Sequence, residues 1–181
     1  RTKGYATTAT TTTTTAEATT TTIGAQVWHL VDDPQPTERG VSVGSVTGGE
    51  RYEISLNIRP SGSSLYTWSC IFSVGDGDWR LPGIWFLPHG SRMHIRAGKH
   101  GEDAGCDLEQ GLPWDEDSRV VIRVDETGLL ETTINEVKVC EAMVPLRPNL
   151  AGESLDVWAV SSGNIPAPAL ISNMTYRSYR L

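Results

Sequence analysis

The stretch from Arg51 to Pro60 places the strongest constraint on the fold of this chain. Apolar residues alternate there with polar ones, at Tyr52, Ile54, Leu56 and Ile58. Successive side chains of a strand point to opposite faces, so this two-residue period predicts a strand with one face in a core. Pro60 ends the pattern, and a sequence typical of turns, Ser61-Gly62-Ser63-Ser64, follows it.

Other short apolar stretches, each bounded by turn signals, follow one another from Ile23 to the end of the chain. We predict further strands at Ile23–Val31, Val41–Val46, Tyr66–Val74, Trp85–Phe86, Met93–Arg96, Val120–Val124, Leu130–Ile134, Val137–Val139, Leu155–Ser161 and Leu170–Tyr179. A polar loop is expected from Gly98 to Asp117. With roughly ten or eleven short strands and no helical period, the sequence predicts an all-β sandwich.

The segment Thr7–Thr22 has a different composition, because twelve of its sixteen residues are Thr. It has nothing apolar to bury and cannot offset its own ordering entropy. Such dense Thr is typical of an O-glycosylated stalk, with a disordered linker as the alternative. We therefore divide the chain into an extended tether, residues 1–22, and a sandwich, residues 23–181. O-glycans are predicted on Thr7, Thr8, Thr10, Thr11, Thr12, Thr13, Thr14, Thr15, Thr19, Thr20, Thr21 and Thr22.

The charge and hydropathy of the chain disfavour two classes of partner. Its net charge is −7, and no basic stripe is present to displace counterions from nucleic acid. No apolar run approaches the length of a membrane span, so membrane insertion is not expected. The sequence also predicts no cofactor.

Three motifs resemble the concanavalin A-like lectin/glucanase superfamily, in particular its laminin-G-like branch. They are the Arg51–Pro60 strand, the sequence Leu81-Pro82-Gly83-Ile84-Trp85-Phe86, and the sequence Arg92-Met93-His94-Ile95-Arg96. The hairpin around Asn135 is similar to that branch's strand, Asn-Gly turn, strand and Cys, except that Glu136 replaces Gly. The resemblance covers about residues 41–180 and implies a jelly roll of two antiparallel sheets. Such domains occur in extracellular adhesive proteins, lectins and glycan hydrolases, so the fold alone does not assign a function.

Glycanases of this superfamily carry paired carboxylates on one strand, where a nucleophile and an acid lie close together. The chain lacks the corresponding pattern, Glu-x-Asp followed by one or two residues and a second Glu, and its four His residues are scattered along the sequence. Glu131 and Glu136 flank a hairpin turn, and Asp115, Glu116 and Asp117 fall in the polar loop. We therefore predict no catalytic residues and no enzyme activity.

Two acidic groups offer the oxygen ligands that calcium prefers. They are Asp103, Asp107 and Glu109 in the polar loop, and Asp76 with Asp78. Neither matches a defined calcium-binding loop, so a solvated acidic surface is favoured and no metal site is predicted.

Sugar binding needs an exposed aromatic face beside polar groups, and two of the six Trp residues suit this role. Trp79 and Trp114 fall in predicted loops beside charged residues, and we predict them as sugar-binding residues. The others, Trp28, Trp68, Trp85 and Trp158, are assigned to the core or to strand surfaces. Arg92, His94 and Arg96 share one strand face, either as a basic stripe for an acidic partner or as a solvated face.

Three Cys residues cannot all pair within the chain, so one disulfide and one remaining thiol are expected. The resemblance implies a Cys106–Cys140 disulfide, since related domains commonly have Cys at both places. Cys70 lies in an apolar run and is predicted to be buried as a free thiol. The sequon Asn173-Met174-Thr175 predicts an N-glycan, because strand alternation points Asn173 away from the core.

These features give two hypotheses for a secreted or cell-surface protein. In the first, the chain is a structural subunit of an extracellular glycoprotein fibril, and the Thr-rich tether contacts other copies of the chain. In the second, it is a carbohydrate-binding, lectin-like adhesion module on a glycosylated stalk. The second requires an exposed Trp in a concave site.

Overall fold

The structure of the protein is a computed structural model, and it describes residues 24–49, 51–63, 65–75, 78–102, 104–147, 152–161 and 163–180. These residues form strands and loops, with no helix among them. Accordingly, nothing in these ranges is a helix long and apolar enough to cross a membrane. The strands are β1 (Gly24–Val31), β2 (Gln35–Pro36), β3 (Val41–Thr47), β4 (Arg51–Pro60), β5 (Ser69–Gly75), β6 (Trp79–Phe86), β7 (Arg92–Lys99), β8 (Gly105–Gly111), β9 (Ser118–Val124), β10 (Leu129–Ile134), β11 (Val137–Met143), β12 (Ser154–Val160) and β13 (Ala169–Arg180).

The strands form two antiparallel sheets that pack face to face as a sandwich. One sheet has seven strands in the order β1-β13-β4-β9-β10-β11, with β2 paired to β13. The other has six strands in the order β3-β12-β5-β6-β7-β8. This arrangement confirms the predicted all-β sandwich of two antiparallel sheets.

Alternation along the strands supplies the core between the two sheets. In β4 the predicted inward residues Tyr52, Ile54, Leu56 and Ile58 are all buried. The six-stranded sheet contributes residues such as Phe72, Ile84, Phe86, Met93, Ile95 and Val157, each at most 1% exposed. Because the inward residues of the six-stranded sheet form the core, a surface site on this sheet must be built from its outward residues.

The prediction of a polar loop from Gly98 to Asp117 is wrong for the middle of that range, which forms the strand β8. Leu108 is the residue of this strand that reaches the core, and the charged Asp107 and Glu109 on either side of it are exposed. One buried apolar residue gives too weak a period to identify a strand from sequence. The strand is defined by pairing with β7, for example between Ile95 and Cys106.

A disulfide joins the edges of the two sheets. Cys106 on β8 is bonded to Cys140 on β11, with their Cα atoms 6.4 Å apart, which is the pairing that the resemblance implied. Cys70 is a free, fully buried cysteine, and burial raises the pKa of its thiol to about 12. The cross-link therefore fixes the open end of the sandwich where β8 and β11 lie next to each other.

Candidate functional site

Three tryptophans meet in a cleft on the outer face of the six-stranded sheet, which we call the tryptophan cleft. It is lined by Trp79, Trp85 and Trp158 and has a volume of about 620 Å³. Its polar lining includes Arg80, His100, Asp156 and Asn164. Aromatic surface and hydrogen-bonding groups thus share one concave site.

The strand order of the sheet brings these residues together from distant parts of the sequence. Trp158 on β12 lies opposite Ser73 on β5, and Ser73 lies opposite Gly83 on β6. Trp85 follows Gly83 by two residues and therefore lies on the same outer face. Pairing of β12 beside β5 is what places Trp158 next to Trp79 and Trp85.

Irregular pairing beside the cleft shapes its walls. The register shifts on both sides of Trp158, between Ser73 and Gly75, and between Arg80 and Gly83. Bulges bend strands and change the direction of side chains, and they are common next to functional sites. Here they fall at positions of β5, β6 and β12 that line the cleft, namely Ser73, Gly75, Arg80 and Trp158.

Arg80 is the cationic group of the cleft, and its contacts include a hydrogen bond and a ring contact. Its Nη2 donates a 2.9 Å hydrogen bond to the carbonyl oxygen of Glu102. Its guanidinium carbon lies 5.7 Å from the centre of the Trp85 ring, within reach of a cation–π interaction. The orientation of Arg80 is therefore tied to that of Trp85.

The far wall of the cleft is the loop after β12, which is anchored to the sheet. The Asn164 side chain donates through Nδ2 to Ser161 Oγ at 2.6 Å. The main-chain carbonyl oxygen of Asn164 accepts a 2.9 Å hydrogen bond from Arg39 Nε. Cys70 N donates to the carbonyl oxygen of Ile165 at 2.7 Å. These bonds hold the Asn164 side chain at the cleft wall.

Further rings extend from Trp85 across the same outer face. His94 of β7 is paired with Trp85, and their ring centres are 5.9 Å apart. The Trp68 ring centre lies 4.5 Å from that of His94, edge to face. We call Trp85, His94 and Trp68 the aromatic row.

A carboxylate on β8 fixes the middle of this row. His94 Nδ1 lies 2.6 Å from Asp107 Oδ1, and Arg96 Nη2 lies 2.9 Å from the same oxygen. Arg96 is only 5% exposed. The solvated face proposed for Arg92, His94 and Arg96 is therefore wrong for Arg96, which is buried and paired with Asp107.

The structure separates the two predicted sugar-binding tryptophans. Trp79 lines the cleft, although it begins β6 and does not lie in a loop as predicted. Trp114 lies in the loop after β8, is 37% exposed, and is outside the cleft lining. Trp85 and Trp158, which we assigned to strand surfaces or the core, are half-buried on the outer face and complete the site.

The other predicted sites lie away from the cleft or outside the described residues. Asn173 is exposed on the outer face of the seven-stranded sheet, beside a depression lined by His29, Asn57 and Arg119. Asp76, Asp103 and the whole Thr-rich segment fall outside the described ranges. Within those ranges, no group of three or more His, Cys, Asp or Glu residues is arranged to hold a metal ion.

No protein-family model and no curated protein sequence matches this chain. Solved structures do share its fold. Domain 4 of AbnA, an extracellular GH43 arabinanase from Geobacillus stearothermophilus solved with arabinotriose, is 16% identical with a TM-score of 0.55. The match covers 89% of this chain and 84% of that domain.

Sialidase from Trypanosoma rangeli contains a similar sandwich. Its complex with 2,3-difluorosialic acid is 11% identical, with a TM-score of 0.54, over 85% of this chain and 27% of the sialidase chain. A second structure of this sialidase has the same identity and TM-score over 70% of this chain and 20% of that one. The chain thus spans only about a quarter or less of the sialidase. At these identities the likeness defines the fold, a β-sandwich that recurs in carbohydrate-active proteins.

These comparisons contradict the prediction that the chain is not an enzyme, because the shared sandwich occurs within chains that are enzymes. That prediction tested only for the paired carboxylates of one glycanase arrangement. Glycoside hydrolases also use other groups, such as the Tyr nucleophile of sialidases. The absence of one carboxylate pattern was therefore too narrow a criterion.

Proposed function

We propose that this domain binds carbohydrate in the tryptophan cleft, as a module of an extracellular carbohydrate-active protein. The observation that carries the proposal is the convergence of Trp79, Trp85 and Trp158 in one cleft. A sugar ring has apolar C–H faces and a polar rim of hydroxyl groups. Indole faces suit the former, and Arg80, Asp156 and Asn164 offer hydrogen-bond partners to the latter.

The proposal includes membership of the concanavalin A-like superfamily and secretion. Two antiparallel sheets of six and seven strands support the first. The Cys106–Cys140 disulfide supports the second, since such bonds persist in oxidising compartments. The similar arabinanase domain belongs to an extracellular enzyme, which agrees with secretion.

The fibril hypothesis depends on residues 1–22, which lie outside the described residues, and the comparisons lend it no support. The predicted contact of this segment with another copy of the chain, and its O-glycans, stay predictions. The carbohydrate-binding hypothesis is favoured because it rests on described residues.

Binding to a broad glycan array, followed by calorimetry on the ligands found, tests the proposed function. Arabinotriose and sialic acid belong on the array, because they are ligands in the structures of similar fold. Trp158→Ala should weaken binding by about tenfold. It removes aromatic surface that the ligand would bury, and this burial contributes roughly 1–2 kcal/mol to the binding free energy. Trp114→Ala is the matched control and should bind like the unaltered protein.

Two results would contradict the proposal. One is that the unaltered domain binds no glycan on the array. The other is that Trp158→Ala and Trp79→Ala, each folded by circular dichroism, bind a ligand as tightly as the unaltered domain does. Either result would leave the tryptophan cleft without a role in carbohydrate binding.

A further inference from the structure

The aromatic row lengthens the candidate site well beyond the tryptophan cleft. Trp85 belongs to both, and from it the row continues through His94 to Trp68. Trp68 immediately precedes β5, whereas the cleft residue Gly75 ends that strand. Seven residues at about 3.3 Å each place these two positions roughly 20 Å apart along the sheet. One sugar ring cannot cover such a distance.

Trp68 is the distal end of the row and is not needed for the core. Its side chain is 45% exposed, and the ring it contacts is His94 on the outer face. Nearby in the same loop, Tyr66 is 87% exposed and packs edge to face with His89 at 5.2 Å. Exposed aromatic surface of this extent, next to a concave site, indicates an interaction surface.

His94 holds Trp68 in a defined position although Trp68 lies in a loop. The His94 ring is fixed by its 2.6 Å contact with Asp107, and Asp107 is fixed in turn by the buried Arg96. The rings of Trp68 and Trp85 meet His94 at similar angles, 73° and 68°. An aromatic surface that is held in place before binding loses little conformational entropy when a ligand stacks on it.

We propose that the ligand is an extended polysaccharide chain, bound along its length from the tryptophan cleft to Trp68. This inference rests on the proposed function and adds a distal subsite to it. A terminal monosaccharide would use the cleft alone, whereas a chain of several sugars would also stack on the aromatic row. Trp68 is then a specificity-determining residue for ligand length.

Calorimetry with oligosaccharide ladders tests the proposal. The probes are linear arabinan, xylan and β-glucan oligosaccharides, each from the monosaccharide to the hexasaccharide. For the ladder that binds, affinity should continue to rise beyond the disaccharide. Trp68→Ala should lower the affinity for the hexasaccharide about tenfold and leave that for the disaccharide unchanged. Trp68→Phe, which keeps a ring, should lose less.

Two controls separate the distal subsite from the cleft. Trp158→Ala should weaken binding of short and long oligosaccharides alike, and Trp114→Ala should change neither. If Trp158→Ala weakens binding while Trp68→Ala binds every length like the unaltered protein, the distal subsite is refuted and the proposed function stands. If the unaltered protein binds no member of any ladder or array, both proposals fail.

Discussion

The indole of Trp85 occupies the space that a side chain at Gly83 would fill. A β-carbon built on Gly83 would overlap the Trp85 ring and would come within 2.6 Å of its Cζ3 atom. The two residues share the outer face of β6, and the Arg80 guanidinium stacks over the same ring. The missing side chain at position 83 therefore leaves room for the Trp85 ring in its position at the tryptophan cleft.

Gly83→Ala should displace the Trp85 ring and weaken carbohydrate binding about tenfold, because it disturbs one stacking face. The fold should survive, since a single side chain can rotate to make room. Calorimetry and tryptophan fluorescence measure the two effects. Gly24→Ala is the matched control, because a β-carbon there meets nothing within 4 Å. Unchanged affinity in Gly83→Ala would show that the ring position of Trp85 does not matter for binding.

The strands could be predicted where alternation was strong. The bounds predicted for β4, Arg51–Pro60, are those of the structure, because its inward residues are all large and apolar. The strand β8 was missed, because Leu108 alone marks its inner face. Local periodicity detects a strand by its own residues, whereas β8 is defined by its pairing with β7.

The candidate site was harder to predict than the fold. The charged neighbours of Trp79 predict a sugar-binding role for it, and the structure places Trp79 in the cleft. The sequence does not distinguish Trp158 in this way, because an outward Trp on a strand resembles an inward one in sequence. Its role depends on β12 lying beside β5, about eighty residues away in the chain, and local sequence patterns carry no information on that pairing.

The turn between β10 and β11 offers a stabilising substitution. Asn135 and Glu136 both have positive φ values, 48° and 70°. Asn tolerates this region, but for Glu it costs about 1 kcal/mol relative to Gly. Glu136→Gly should therefore raise the free energy of unfolding by about 1 kcal/mol, as measured by urea denaturation. Glu136→Ala keeps the unfavourable backbone geometry, so equal stabilisation by Ala would assign the effect to charge.

The Cys106–Cys140 disulfide should contribute substantially to stability. Its two residues are 34 apart in sequence. Closing a loop of this length lowers the entropy of the unfolded chain and thereby raises the free energy of unfolding by roughly 4 kcal/mol. In the double variant Cys106→Ser/Cys140→Ser, the free energy of unfolding measured by denaturant titration should fall by about that amount. Replacing both residues avoids the unpaired thiol that a single substitution would leave. Cys70 is retained as an internal control and should resist alkylation in both folded proteins, because its thiol is buried. An unchanged denaturation midpoint would show that β8 and β11 are held together without the cross-link.

Asp107 should make the domain sensitive to acid. Burial raises the pKa of its carboxyl, but the hydrogen bond from His94 and the charge of Arg96 outweigh this, so the pKa is lowered from its ordinary 3.8. A lowered pKa stabilises the fold at pH values above the ordinary one, and this contribution is lost as the pH falls through the lowered value.

The melting temperature of Asp107→Asn, followed from neutral pH into strong acid, tests this expectation. At neutral pH the variant should be less stable than the unaltered protein, because the buried Arg96 loses its carboxylate partner. The difference should shrink as the pH falls below the ordinary pKa of Asp. A difference that stays constant down to strong acid would mean that the charge of Asp107 contributes nothing. Asp115→Asn, an exposed carboxylate in the loop after β8, is the control.

Asn173 should accept an N-glycan without disturbing the tryptophan cleft. Its φ of 49° suits Asn, and the pairing of β13 with β4 is interrupted between Ser172 and Thr175, so the side chain stands out from the ladder. The main-chain carbonyl oxygen of Asn173 accepts a 3.1 Å hydrogen bond from Arg119 Nη1. The side-chain amide of Asn173 is exposed, and the sugar can be attached to it. When the domain is expressed through a eukaryotic secretory pathway, it should carry an N-glycan. Its intact mass should then fall after treatment with an N-glycosidase.

Thr175→Ala destroys the sequon, so this variant should lack the glycan. Thr175→Ser preserves the sequon, so that variant should retain the glycan. Asn173 lies on the outer face of the seven-stranded sheet and the cleft on that of the six-stranded sheet, so glycosylated and unglycosylated forms should bind oligosaccharides equally. If the masses of Thr175→Ala and Thr175→Ser differ only by the oxygen atom that distinguishes Ser from Ala, a glycan at Asn173 is ruled out. Weaker oligosaccharide binding by the glycosylated form would instead place the ligand on the seven-stranded face.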